Sequence, residues 1–271
     1  MFEYAFIQTA FAASGIVALV AGVVGYFLVL RRQAFAGHAL SHVGFAGATG
    51  AALVGANPLL GLLIATLLAS TWMGALADRL ERSDVATAAV LSFALGLGML
   101  FLHFYTHYAS EATALLFGNV LGVDGPTVWL LAAMGLLCLG VLTAIARPLV
   151  FSSLQPELAE AKGISTRRIA MLFLGVVAVC TAQCVQIVGV LLVFSLMVGP
   201  AATAQLCTRS LARGLLCSAL LALAEAWLGL GLAIYTDWPT SFWITALCSG
   251  GYLLALLAQR LRRSRLTARQ P

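Results

Sequence analysis

The 271-residue chain is 62% hydrophobic and only 9% charged, with a mean hydropathy of +1.01, whereas soluble domains carry about 25% charged residues. This excludes an ordinary soluble protein and predicts an all-α, polytopic membrane helix bundle: a single transmembrane domain over residues 1–260 and a basic tail at 261–271. The net charge of +5 sits in short connections and gives no reason to propose nucleic acid as a partner.

In chain order, apolar stretches predict nine spans, at about 5 to 30, 37 to 56, 58 to 77, 85 to 104, 126 to 146, 169 to 186, 187 to 206, 213 to 235 and 240 to 258. The first run, Tyr4 to Leu30, is too long for the core of a signal peptide and follows Glu3 rather than a basic residue, so it should remain as a span. Asn57 and Pro58 divide the uncharged run from Gln33 to Ala77, because proline suits a first helical turn and disfavours helix in the residue before it. A second division is placed near Gln183 to Gln186. Segment 112 to 125, "ATALLFGNVLGVDG", is apolar but too short to cross, which predicts a re-entrant or interfacial helix.

Charge tests this arrangement independently, because cytoplasmic connections should be rich in Lys and Arg. With the N-terminus outside, all fifteen basic residues fall inside: Arg31, Arg32, Arg79, Arg82, Arg147, Lys162, Arg167, Arg168, Arg209, Arg213, Arg260, Arg262, Arg263, Arg265 and Arg269. The outer connections then hold only Glu3, Glu111, Asp124 and Asp237, and the C-terminus is cytoplasmic.

His38 and His42 stand four residues apart in the uncharged run. On a helix they share one face, and neutral imidazole is a common ligand for borderline divalent metals. The alternative is a pair of packed, hydrogen-bonded histidines. Gly44, Gly47, Ala48 and Ala51 follow them, a small-residue surface suited to close helix packing or to lining a narrow path. Glu225 is the only carboxylate in the middle of a span, where an unpaired carboxylate costs several kcal/mol, so it should face a cavity or a partner. Its two readings are a protonated packing residue and a metal-path or proton site. His103, His107 and Glu111 would line one outer helical face as a first contact for a cation, or would simply be solvated.

The connection "RPLVFSSLQPELAEAKGISTRR" predicts a short non-membrane helix. Pro156 suits its first turn, Glu157 and Glu160 favour its positive end, and Gly163 supplies the stop. With Leu158 and Ala161 on one side, it is either a docking peg for a soluble subunit or an ordinary surface helix. The six cysteines fall in or beside apolar runs and read as small hydrophobes, although Cys180 and Cys184 share a helix face. Lys162, the only lysine, lies in no phosphate loop, so the chain is not itself a P-loop ATPase; H-E-x-x-H and G-x-S-x-G are also absent.

Four blocks, "LRRQAFAGHALSHVGFAGATGA", "EATALLFGNVLGVD", "PELAEAKGIS" and "QIVGVLLVFSLMVGPAATAQL", resemble in order and spacing the permease subunits of bacterial metal-ion ABC importers of the zinc/manganese class, the ABC-3 family. The similarity covers essentially the whole chain. It implies about eight spans, a homodimer in the bacterial cytoplasmic membrane, two copies of a separate ATP-binding subunit, and delivery of metal by an extracytoplasmic binding protein. No permanent cofactor is implied, only transported zinc or manganese. The helix carrying Glu157, Glu160, Ala161 and Gly163 would match the coupling element. Family members usually carry Asp-x-x-x-His where this chain has His38-x-x-x-His42, so His42 matches the family histidine and His38 replaces the aspartate. Imidazole is softer than carboxylate, which favours zinc over manganese. Glu225 would return some negative charge to the path if the two helices meet. Two other readings stand beside this one. They are an ion-gradient-driven carrier exchanging protons at Glu225, and an intramembrane metalloenzyme ligated by His38, His42 and Glu225.

Overall fold

The computed structural model describes residues 5–76, 83–104 and 115–267. Among them are ten α-helices and no strand: α1 Ala5–Leu30, α2 Ala34–Leu53, α3 Pro58–Leu76, α4 Ser83–Phe104, α5 Gly125–Leu154, α6 Pro156–Ala161, α7 Thr166–Val188, α8 Val193–Cys207, α9 Leu211–Thr236 and α10 Thr240–Thr267.

Two helices form the centre. α1 and α7 bury most of their apolar windows, and small residues make this possible. α8, α9 and α5 pack around α1, with the Ser218 hydroxyl of α9 donating to the Gly22 carbonyl at 2.6 Å. On the other side α2, α3 and α4 pack together, with α2 and α3 leaning on α7. The small-residue surface after His42 is used here for packing: a Cβ on Gly47 would lie 2.4 Å from the Gly61 carbonyl of α3.

Among the described residues six helices are long and apolar enough to cross a membrane: Ala5–Leu30, Thr87–Phe104, Gly125–Leu154, Thr166–Val188, Leu211–Thr236 and Thr240–Leu261. Three of the nine expected spans, α2, α3 and α8, are not among these six. α2 is diluted by glycines and its two histidines, and α3 and α8 are short apolar helices, α8 having 15 residues. At 1.5 Å per residue α8 is about 22 Å long, against a hydrocarbon thickness of about 30 Å.

The predicted division near Gln183 to Gln186 falls instead at Gly189 to Leu192. α7 continues to Val188 with Gln183 and Ile187 buried in the core, and it stops at Gly189, whose φ of 76° favours glycine. The peptide groups exposed by this break are satisfied by the segment around residue 116: Val190 N–H donates to the Leu115 carbonyl at 3.0 Å and Leu191 N–H to that of Leu116 at 3.3 Å. Gly118, φ 80°, meets the break so closely that a Cβ there would lie 2.4 Å from the Ile187 carbonyl. Residues 115–117 are helical, and a 3₁₀ turn, Val120–Gly122, follows, capped by the Asn119 side chain. The described part of the 112–125 segment is thus a short insert against a broken helix.

α5 also outruns its expected end at Ala146, continuing through Pro148 to Leu154. Proline removes one helical hydrogen bond. Tertiary contacts offset it: Leu149 is fully buried, and the Arg31 guanidinium reaches Ser153 Oγ at 2.8 Å while lying 5.5 Å from the Phe173 ring centre. Lys162 lies over the Phe151 ring at 5.3 Å, so Arg31 and Lys162 gather at one end of the bundle.

Candidate metal path and coupling helix

The twenty residues of α2 hold His38 and His42 one helical turn apart. Their rings meet edge to face, with centroids 4.8 Å apart and planes at 84°. Both are half-buried. Phe194, near the start of α8, closes on His38 from across the break at 5.7 Å, and Phe35 flanks it at 6.4 Å. Among the described residues neither imidazole enters a hydrogen bond. The pair is thus packed by aromatic contact, with neither ring in a hydrogen bond among the described residues.

Phe194 escaped the sequence reading although it lies inside the "VGVLLVFSLMVGPAATA" block. Only the break at Gly189 to Leu192 turns it toward α2.

Glu225 lies elsewhere. It is 7% exposed on α9, and Oε2 accepts a hydrogen bond from Cys248 Sγ of α10 at 2.9 Å. α9 packs on α1, α8 and α10, whereas α2 packs on α1, α3, α4, α7 and α8. Cys248, read from sequence as a small hydrophobe, is the partner that Glu225 required. Among the described residues no group of three or more His, Cys, Asp or Glu side chains is placed to hold a metal ion, so His38, His42 and Glu225 are not gathered into one closed site. Cys180 and Cys184 are fully buried in the core. His103 is exposed in the last turn of α4 against Phe104, and His107 and Glu111 lie outside the described residues.

α6 forms as its sequence dictates. Pro156 opens it, and Gly163, φ 77°, ends it with paired bonds from Gly163 N–H to the Glu160 carbonyl and from Ile164 N–H to that of Ala159. Ala159 is fully buried and anchors the helix, which leaves Glu157, Leu158, Glu160 and Ala161 exposed. The Glu160 carboxylate accepts from the Thr166 hydroxyl at 2.8 Å, tying α6 to the start of α7.

These membrane-length helices, wrapped around a buried α1 and α7, define an integral multi-pass membrane protein. The chain belongs to the ABC 3 transport family, which it matches over residues 3–259, and is a membrane permease of a metal-importing ABC system. It is 28% identical over 256 residues to the manganese transport system membrane protein MntC of Halalkalibacterium halodurans, covering 94% of this chain and 88% of that one. It is 31% identical over 264 residues to a probable metal transport system membrane protein of Treponema pallidum, covering 95% and 97%. Its fold matches PsaBC from Streptococcus pneumoniae, solved in complex with Fab, at a TM-score of 0.84 and 24% identity over 93% of this chain and 91% of that one.

Proposed function

We propose that residues 1–260 form the membrane half of an ATP-driven importer in the bacterial cytoplasmic membrane, passing a divalent transition-metal ion by His38 and His42. The observation that carries this reading is the imidazole pair, half-buried on one face of α2, facing Phe194, with its ring nitrogens outside any hydrogen bond among the described residues. Two donors cannot complete the tetrahedral shell that would trap zinc, and conduction needs sites weak enough to release the ion. A second copy of the chain about a twofold axis encloses the path beside α2. An extracytoplasmic binding protein delivers the metal, and His103, His107 and Glu111 meet it at the outer face.

Zinc is the cargo that the chemistry of His38 favours, since imidazole replaces the family's carboxylate. The manganese named for the Halalkalibacterium relative supports the second reading, manganese itself. The N-terminus lies outside and the C-terminus in the cytoplasm, with eight or nine crossings once α2, α3 and α8 pair with neighbours as partial or tilted spans. All fifteen basic residues then face the cytoplasm. ATP hydrolysis on two separate subunits moves the bundle through α6, by way of Glu157, Glu160, Ala161 and Gly163.

The test is uptake of radioactive zinc and manganese by cells expressing the chain with its ATPase and binding protein, against an ATPase-dead control. Uptake that stops in the control supports the importer. Uptake indifferent to the ATPase overturns it in favour of a gradient-driven carrier at Glu225.

A further inference from the structure

α3, α5 and α7 leave a furrow between them of about 520 Å3. Its walls are apolar along their length, with Leu67 of α3, Leu137 and Val141 of α5, and Gly175 and Val179 of α7. The only charged residue lining it is Arg168, in the first turn of α7. The Ser70 and Thr71 hydroxyls of α3 also border it, but each donates to a carbonyl of its own helix at 2.8 Å, so they offer no donor to a guest.

The dimensions match half a bilayer. From Arg168 to Val179 is eleven residues, about 16 Å of helix, and one leaflet of hydrocarbon is about 15 Å deep. Leu137 is 60% exposed and Leu172 49%, so the furrow opens sideways toward lipid. Its floor is bare at Gly175, where an added Cβ would meet nothing within 4 Å. Arg168 is exposed and, among the described residues, has no ion-pair partner. It stands at the end of this apolar length nearest the start of α7.

We propose that this furrow is a binding site for one anionic phospholipid, with an acyl chain along α7 over Gly175 and the headgroup phosphate on the Arg168 guanidinium. An apolar slot closed at one end by a cation complements a single chain carrying one terminal negative charge, and basic pockets between membrane helices hold anionic headgroups in this way. Guanidinium suits phosphate because its fork of donors meets two oxygens at once. The site requires only that the chain spans a membrane, so its failure would leave the metal-transport reading untouched.

Native mass spectrometry of the purified full chain, released from micelles containing equal phosphatidylglycerol and phosphatidylcholine, tests the site. Wild type is expected to retain phosphatidylglycerol about fivefold over phosphatidylcholine, the preference one interfacial arginine supports. Arg168→Gln is expected to lose that preference and Arg168→Lys to keep most of it. Gly175→Leu, which fills the floor, should lose the bound lipid, while Gly140→Leu, equally open on α5 but outside the furrow, should not. Equal retention of the two lipids by wild type, retention unchanged in Arg168→Gln, or the same loss in Gly140→Leu would overturn the site. A chain dimer abolished by Gly175→Leu and indifferent to headgroup would overturn it too, assigning the furrow to a second copy.

Discussion

Cys248 Sγ donates to Glu225 Oε2 at 2.9 Å, joining α10 to α9 where Glu225 is only 7% exposed. Removing the thiol leaves a buried carboxyl group without that partner, at a cost of about 1–3 kcal/mol. Cys248→Ala is therefore expected to lower the melting temperature of the detergent-purified chain by several degrees, and Cys248→Ser, which keeps a donor, by much less. Equal losses in the two variants would show that packing volume, not the hydrogen bond, sets the cost.

If Glu225 serves the α9–α10 contact rather than a proton circuit, Glu225→Gln should keep most ATP-dependent metal uptake, because the amide still accepts from Cys248 and carries no charge to exchange. Transport assays at pH 6 and pH 8 check this. A loss of uptake in a well-folded Glu225→Gln protein would return Glu225 to the metal or proton path.

His42→Ala should reduce uptake by at least about tenfold, since even changes behind a metal ligand cost that much. His38→Asp introduces the carboxylate that the family resemblance leads one to expect at this position and should move preference from zinc toward manganese. Competition uptake with both ions measures the shift. An unchanged preference would reduce His38 to an aromatic contact of Phe194.

At the break between α7 and α8, Gly189 has a φ of 76°, and a Cβ on it would lie 2.3 Å from the Leu116 carbonyl. Gly189→Ala combines backbone strain of about 1–3 kcal/mol, in a region at φ 76° and ψ 163° that is essentially confined to glycine, with that collision. Gly163 has the same backbone sign but nothing within 4 Å, so Gly163→Ala should cost the strain alone. Folded yield and melting temperature should rank wild type above Gly163→Ala and Gly163→Ala above Gly189→Ala.

Glu157 and Glu160 project from a helix held by the buried Ala159. Changing both to Lys should leave the melting temperature nearly unchanged, apart from the lost Glu160 contact with Thr166, and abolish metal-stimulated ATPase activity in the assembled system. Unchanged coupling would make α6 an ordinary surface helix.

The sequence by itself determined the elements whose signal is local. Membrane class follows from composition. α1, α4, α9 and the start of α3 follow from uninterrupted apolar length and from Pro58, and α6 from Pro156 and Gly163, because hydropathy, proline and glycine act over a few residues. The spacing of His38 and His42 placed them on one helix face for the same reason. What tertiary structure decided lay where distant segments satisfy one another. α5 runs through Pro148, with the Arg31 guanidinium, itself over the Phe173 ring, tied to Ser153 at its end. α7 breaks at Gly189, not near Gln183, because residues 115 and 116 accept the hydrogen bonds the break sets free. Local sequence carries no record of such partners. So Phe194 meets His38, and Cys248 meets Glu225, through contacts that only the packed bundle creates.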